Sequence, residues 1–93
     1  MLHAFVLIDA EPARIAALAE ELAATEGVAE AYSVAGGVAD LVAIVRVAHH
    51  DELAEVVTTR IDPMAGVRST TTLVAFQAFS RHDLEALWDI GPA

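Results

Sequence analysis

Two glycines and one carboxylate in the middle of the chain carry its clearest chemical signal. Gly36 and Gly37 precede Asp40, which stands immediately before the apolar run of residues 41–45. Glycine tolerates positive φ at little steric cost, so this turn can leave backbone amides free for an anion. A fixed carboxylate beside free N–H groups suits a small zwitterion better than bond-breaking chemistry. Simpler roles stay open, because the glycines can serve only as a hairpin turn and Asp40 can bond the turn's own amides.

The histidines and the other polar residues give little support to metal binding or catalysis. His49 and His50 are adjacent at the predicted start of a helix, so their rings point in different directions and we expect them to be solvated. His3 and Asp40 are the only candidates for an acid or base, and no nucleophile pairs with either. We predict no catalytic residue, no metal and no cofactor. The alternative is a small enzyme of the dimeric α/β-barrel type, a monooxygenase or isomerase.

Composition is typical of an acidic, soluble protein. The chain has 93 residues, no cysteine, 56% apolar residues and a net charge of −9, and its five basic residues, all arginines, are dispersed. Nucleic acids and anionic membranes attract clustered cations, so neither is an expected partner. The sequence has no basic leader and no apolar run of about 20 residues. It therefore predicts a cytoplasmic protein without a membrane span.

Hydropathy patterns predict one α+β domain with the element order βαββαβ. Strands show β-branched or continuous apolar runs, and helices show apolar residues three or four positions apart. The glycine pair favours an antiparallel hairpin between the second and third strands. The predicted strands are residues 2–8, 28–34, 40–47 and 67–79, and the predicted helices lie between caps at Asp9 and Gly27 and over residues 49–61. This order indicates a ferredoxin-like sandwich with both helices on one face of a four-stranded antiparallel sheet.

Both faces of the predicted sheet are apolar, although two helices can cover only one. In the third strand, Leu41, Ala43 and Val45 alternate with Val42 and Ile44. Burial of apolar surface contributes roughly 25 cal/mol per Å², so an uncovered face favours association. We therefore expect this face to meet a second copy in a two-fold homodimer. The alternative is that a C-terminal helix folds over it.

The C-terminal residues 80–93 are predicted to be a separate helical tail after the domain of residues 1–79. The first four tail residues match a capping box with Asp in place of Glu, and Leu84, Leu87 and Trp88 follow at helical spacing. A helix this short is not stable alone in water. We expect it to dock on its own domain or on a neighbouring subunit.

Two motifs on this frame resemble those of a known family. A G-x-x-D motif runs from Gly37 to Asp40 before an aliphatic strand and a helix, and a G-V-x-x-T-x-T motif runs from Gly66 to Thr72. In this order they resemble the effector-binding (RAM/SAM-type) domain of Lrp/AsnC transcription regulators. The resemblance covers residues 1–79 and implies the same ferredoxin-like fold.

The resemblance also implies a ligand and an assembly. Small effectors, usually amino acids, bind where dimers meet in a ring such as an octamer or decamer. By the family's motif, the amides of Gly36 and Gly37 face the ligand carboxylate and Asp40 receives its ammonium group. The further contact residues implied are Tyr32, Thr70 and Thr72. Simpler roles for these three are strand propensity for the threonines and packing for the tyrosine.

The chain begins directly at its first strand, whereas such regulators carry an N-terminal helix-turn-helix domain. The resemblance therefore implies a stand-alone member that retains ligand binding and oligomerisation without DNA binding. Such a protein would tune transcription or metabolism through partners. Co-assembly with full-length Lrp/AsnC regulators is a further alternative, which needs the shared interface but no ligand.

Overall fold

The computed structural model describes residues 1–81 and has the predicted order of strands and helices. The strands are β1 (Leu2–Ala10), β2 (Val28–Ser33), β3 (Leu41–Val47) and β4 (Val67–Val74). The first helix, α1 (Ile15–Ala23), follows a short 3₁₀ turn over Pro12–Arg14, and the second, α2 (His50–Ala54), continues as a π-helical segment over Glu55–Ile61. The ferredoxin-like α+β fold expected from the sequence is confirmed.

The four strands form one antiparallel sheet in the order β2-β3-β1-β4. β1 is therefore central, with β3 on one side and β4 on the other. The β2–β3 hairpin is antiparallel, as the glycine pair predicted. Because all the pairs are antiparallel, the seven-residue loop between β2 and β3 reaches the end of the sheet where β1 finishes and β4 begins.

One face of the sheet and the two helices enclose the hydrophobic core. The register opposes Ala4 to Val45 and Val6 to Ala43, and all four side chains are buried. Since successive residues of a strand point to opposite faces, these residues define the face that the helices cover. The helices contribute five buried side chains to this core, namely Leu18, Leu22, Leu53, Val56 and Ile61.

The opposite face of the sheet, called the open face below, is covered by neither helix. By strand alternation and register, its central row runs across three strands through Ile44, Phe5 and Leu73. Phe5 is 40% exposed and Leu73 is 51% exposed. The ladders also place on this face His3, Leu7, Asp9, Glu30, Tyr32, Val42, Arg46, Ser69 and Thr71. The two apolar faces were predicted from alternation, and the placement of both helices on one of them was predicted from the order of the elements.

Two strand ends differ from their predicted positions by two residues or more. β1 extends to Ala10, because Asp9 pairs with Ser69 of β4 and so does not cap a helix. β4 stops at Val74 instead of residue 79. Its last partner on β1 is Ala4, and a single further bond joins the Ala75 amide to the His3 carbonyl at 2.9 Å. β4 thus leaves the sheet two residues before β1 begins, while Leu2 of β1 still pairs with Val47 of β3.

The predicted tail of residues 80–93 lies outside the described residues from residue 82 onward. The helical spacing of Leu84, Leu87 and Trp88 therefore stays a prediction. Within residues 1–81, none of the helices is both long enough and apolar enough to span a bilayer.

A glycine at the entry to β4 is expected to be essential for stability. Gly66 has φ +96°, and a Cβ atom there would lie 2.6 Å from Cβ of Arg14. Gly37 has φ +85°, but a Cβ atom there would meet nothing within 4 Å. Gly66→Ala combines backbone strain with overpacking and should lower the free energy of unfolding by about 2–4 kcal/mol.

Gly37→Ala is the matched control for that substitution, because it adds the strain alone and should lower the free energy of unfolding by about 1–2 kcal/mol. Urea titrations of both variants test the difference. Equal losses would mean that the contact with Arg14 relaxes without cost.

Candidate functional site

The β2–β3 loop, residues 34–40, is tied to the sheet at its ends and stands clear of the protein at its glycines. The Val34 amide donates to the Asp40 carbonyl at 3.0 Å, and the Asp40 amide donates to the Ile8 carbonyl at 2.9 Å. Gly36 and Gly37 are exposed, and a Cβ atom at either would meet no atom within 4 Å outside the adjoining residues. The loop is therefore held at its base and leaves room beside its backbone for a bound molecule.

The Asp40 carboxylate is half-buried and fixed by a neighbouring strand. Its Oδ2 atom accepts a hydrogen bond from the Ala10 amide at 2.9 Å. The sequence left open a simpler role for Asp40, in which it bonds an amide of its own turn. In the structure the bond goes to β1 instead. Ala10 itself is 1% exposed, so Asp40 satisfies a donor that solvent reaches poorly. One carboxylate oxygen, Oδ2, is thus held in place by the backbone of β1.

A pocket of about 280 Å³ lies where this loop meets the ends of β1 and β4. Its lining residues are Asp9, Gly37, Val38, Ala39, Asp40 and Ser69. Asp9 and Ser69 are directly paired across the two strands, and both belong to the open face. Two carboxylates and a hydroxyl line the pocket, and none of its described lining residues is basic. The electrostatics therefore favour a positively charged group such as a primary ammonium.

Sequence reasoning missed Asp9 and Ser69 as pocket residues. Asp9 was assigned to a helix cap, although its alternation with Phe5 and Leu7 places it on the open face. Ser69 shares that face with Thr71, two positions along the same strand. Alternation along β1 was the signal for Asp9, although a helix-cap pattern competed with it, and the run of hydroxyl residues in β4 gave no such signal for Ser69.

The structure does not bring all six predicted contact residues together. Gly37 and Asp40 line the pocket and Gly36 adjoins it in the loop. Thr70 and Thr72 pair with Ile8 and Val6 and so face the helices. The Thr70 hydroxyl donates to Oδ1 of Asp62 at 2.9 Å.

Thr72 and Tyr32 lie in other surroundings. Thr72 lines a separate pocket of about 320 Å³, beside His50, Leu53 and Val57 of the second helix. Tyr32 lies on the open face of β2, where its hydroxyl donates to the carboxylate of Glu30. That hydrogen bond, together with the negative charge of Glu30, raises the pKa of Tyr32.

A larger cleft of about 570 Å³ lies at the other end of β3. Arg46 and Arg60 line it together with four carboxylate side chains, those of Glu26, Asp51, Glu52 and Glu55. The Arg60 guanidinium donates to the Glu26 carbonyl at 2.8 Å, which ties the π-helical segment to the start of β2.

The two candidates for an acid or base, His3 and Asp40, are far apart. His3 pairs with Arg46 at one end of the β1–β3 ladder, whereas Asp40 bonds to Ile8 and Ala10 at the other. Five residues of strand separate His3 from Ile8, which corresponds to roughly 17 Å. Within residues 1–81, no three His, Asp or Glu side chains are grouped so that they could hold a metal ion.

The sequence matches one family model over most of its length. The Lrp/AsnC ligand binding domain matches residues 3–84. No curated protein sequence matches the chain.

Several solved structures are similar to this chain. TTHA0845 from Thermus thermophilus is 48% identical with a TM-score of 0.81, and the match covers 87% of this chain and 100% of that one. FFRP-DM1 is 30% identical with a TM-score of 0.76, and the match covers 82% of this chain and 100% of that one. The feast or famine regulatory protein Rv3291c from M. tuberculosis, complexed with L-methionine, is 34% identical with a TM-score of 0.69. That match covers 86% of this chain and 53% of the regulator.

Proposed function

Because this chain belongs to the Lrp/AsnC ligand-binding domain family, we propose that it binds a free amino acid and assembles through its open face. The observation that carries the proposal is the pocket at the β2–β3 loop. There, a carboxylate fixed by the Ala10 amide stands beside two unobstructed glycines. An α-amino acid carries an ammonium and a carboxylate group on the same carbon atom, and this pocket offers a partner for each.

The ammonium group of the ligand binds between the two carboxylates of the pocket. Asp40 receives it through Oδ1, since Oδ2 is held by the Ala10 amide. Asp9 adds a second negative charge from the end of β1. A charge-assisted hydrogen bond of this kind is worth about 1.5–3 kcal/mol, so the ammonium group contributes much of the affinity.

The carboxylate of the ligand binds to the loop. Successive N–H groups around a glycine at positive φ form a concave donor site for an anion, and Gly37 has φ +85°. The preceding Gly36 is equally exposed and leaves its own amide accessible. The complex of the M. tuberculosis regulator with L-methionine supports an amino acid as the ligand class.

Self-association buries the open face. The Ile44–Phe5–Leu73 row and the neighbouring Leu7 and Val42 give this face an apolar centre. A two-fold homodimer with facing sheets removes that surface from water on both copies at once. Because Asp9 and Ser69 belong to both the open face and the pocket, a neighbouring subunit lies close to the ligand. Further association into a ring, an octamer or decamer, completes the pocket from outside.

The proposed activity is regulatory. The acidic charge of the chain disfavours direct contact with DNA, so the effect on transcription or metabolism passes through protein partners, including full-length Lrp/AsnC regulators. Ligand binding acts by favouring one state of assembly over another, which requires a difference in affinity between the two states.

A thermal-shift panel tests the proposal. Each of the common amino acids is added to the purified protein at millimolar concentration, with L-methionine as the first probe. Saturation at about 100 times Kd stabilises the folded state by about 2.7 kcal/mol, which raises the melting temperature by several degrees.

Two analogues give matched controls for that panel. N-acetyl-L-methionine lacks the ammonium group and methioninol lacks the carboxylate, and each should lose most of the shift. A melting temperature that no amino acid changes would contradict the proposed ligand class. A shift with both analogues as large as the shift with L-methionine would contradict the assigned contacts.

A further inference from the structure

A polar cluster lies along the β2 edge of the open face, where Glu30 pairs with Ile44 at the end of the apolar central row. It consists of Glu30 and Tyr32 on β2 and Arg46 on β3, and is called the corner cluster below. The Tyr32 hydroxyl donates to one carboxylate oxygen of Glu30, and Nη2 of Arg46 lies 3.8 Å from the other. The side chains of Arg46 and Glu30 are 45% and 47% exposed. The tyrosine thus holds the carboxylate in one orientation, while the arginine is only loosely paired.

The charge of the open face sets it apart from the rest of the molecule. The strand ladders place three charged side chains on it, the acidic Asp9 and Glu30 and the basic Arg46. The whole chain carries a net charge of −9, so two copies repel each other in most orientations. The open face, where these three groups nearly balance, is where two copies approach with little repulsion.

We infer that the corner cluster sets the register and the partner choice of the face-to-face dimer, through pairing of Arg46 with Glu30 of a second copy. This inference rests on the self-association proposed above. Facing sheets lie about 10 Å apart, which an arginine and a glutamate side chain together can bridge. A two-fold axis forms the same pair twice.

The corner cluster distinguishes correct partners from wrong ones. An exposed pair such as this one contributes little within a single chain. Between two sheets, water is excluded and the same charges interact more strongly, so a like-charged neighbour at that position is rejected. A relative with the same apolar centre but a different corner pairs poorly, which is specificity obtained by repulsion.

Charge reversal tests the inference. Glu30→Arg and Arg46→Glu each place like charges at the corner and should weaken self-association by about tenfold or more. When the two single variants are mixed, both pairs between positions 30 and 46 across the interface again join opposite charges. Native mass spectrometry should then show hetero-dimers well above the statistical fraction.

The double variant Glu30→Arg/Arg46→Glu separates pairing between chains from pairing within one. It should self-associate like the original protein, because both kinds of pair are restored. Mixed with the original protein it should form few hetero-dimers, because every pair across that interface is then like-charged. Free mixing of these two proteins, or no excess of hetero-dimers between the single variants, would overturn the inference.

Controls distinguish this inference from the proposal beneath it. Glu20→Arg changes an exposed charge on α1 and should leave every mixture statistical. If charge reversal has no effect while Phe5→Asp dissociates the dimer, the open face is the interface and the corner cluster does not select partners. If Phe5→Asp leaves the dimer intact, the proposed self-association itself is wrong.

Discussion

Phe5→Asp is expected to convert the assembled protein to monomers. Phe5 lies at the centre of the open face, on the central strand, between Ile44 of β3 and Leu73 of β4. In a face-to-face dimer, each introduced carboxylate is buried among apolar side chains without a partner. Burial of an unpaired charge costs several kcal/mol, and the two-fold axis applies that cost twice. Dimers that form at micromolar concentration should then be lost.

Light scattering coupled to size-exclusion chromatography measures this effect directly. Phe5 is 40% exposed in the single chain, so the variant should keep its fold, and far-ultraviolet circular dichroism checks that it does. Ala16→Asp, on an exposed position of α1, is the matched control and should leave the mass unchanged. A well-folded monomer for the original protein, or a dimer for Phe5→Asp, would contradict assembly through the open face.

The sequence predicted the open face because both alternating sets of residues in its central strands are apolar. In β3, every second residue from Leu41 is buried, and the residues between them lie on the other face. Two helices of this length cannot cover both faces of a four-stranded sheet. The surplus of apolar strand surface was therefore evident before the register of any pair was known.

The candidate pocket was only half predictable, for a reason that lies in β4. This strand contains Ser69 and three consecutive threonines, so residue type does not change from one position to the next. Alternation cannot be read from such a run. Only the pairing with β1 shows that Ser69 and Thr71 lie on the open face while Thr70 and Thr72 face the helices.

Asp9 was assigned wrongly because a local helix-cap signal competed with its alternation along β1. An Asp shortly before a proline and an amphipathic run matches a helix N-cap, and local signals favour that assignment. Pairing with Ser69 across the sheet overrides it and keeps Asp9 in β1. The effect is to bring a second carboxylate beside Asp40, which the loop motif alone did not indicate.

In the proposed function, the position of the pocket links ligand binding to assembly. Asp9 and Ser69 stand at the end of the same face whose centre is the Ile44–Phe5–Leu73 row. The bound zwitterion leaves the net charge of the chain unchanged, but its ammonium group lies beside Asp9 and Asp40 and lowers the local repulsion at this end of the face. The association constant should therefore rise when the ligand binds, and by linkage the ligand should bind more tightly to the assembled protein.

Asp40→Asn is expected to abolish most ligand binding while leaving the fold unchanged. An asparagine keeps an oxygen that accepts the Ala10 amide but removes the negative charge that holds the ammonium group. Loss of a charge-assisted hydrogen bond worth about 1.5–3 kcal/mol corresponds to a Kd increase of about tenfold to more than a hundredfold. Isothermal titration with L-methionine, or with the amino acid that gives the largest thermal shift, measures this change.

Asp40→Ala separates the structural role of the residue from its binding role. It removes both the charge and the acceptor, so the Ala10 amide is left unsatisfied and the free energy of unfolding should fall by about 1–3 kcal/mol. Asp51→Asn, an exposed carboxylate on α2 away from the pocket, should change neither quantity. If Asp40→Asn binds ligand as the original protein does while Asp40→Ala is destabilised, the carboxylate anchors the loop and takes no part in binding. The geometry predicts loss of binding in both variants and loss of stability only in Asp40→Ala. The reason is that Oδ2 accepts the Ala10 amide, whereas Oδ1 contacts the ligand in the proposed complex.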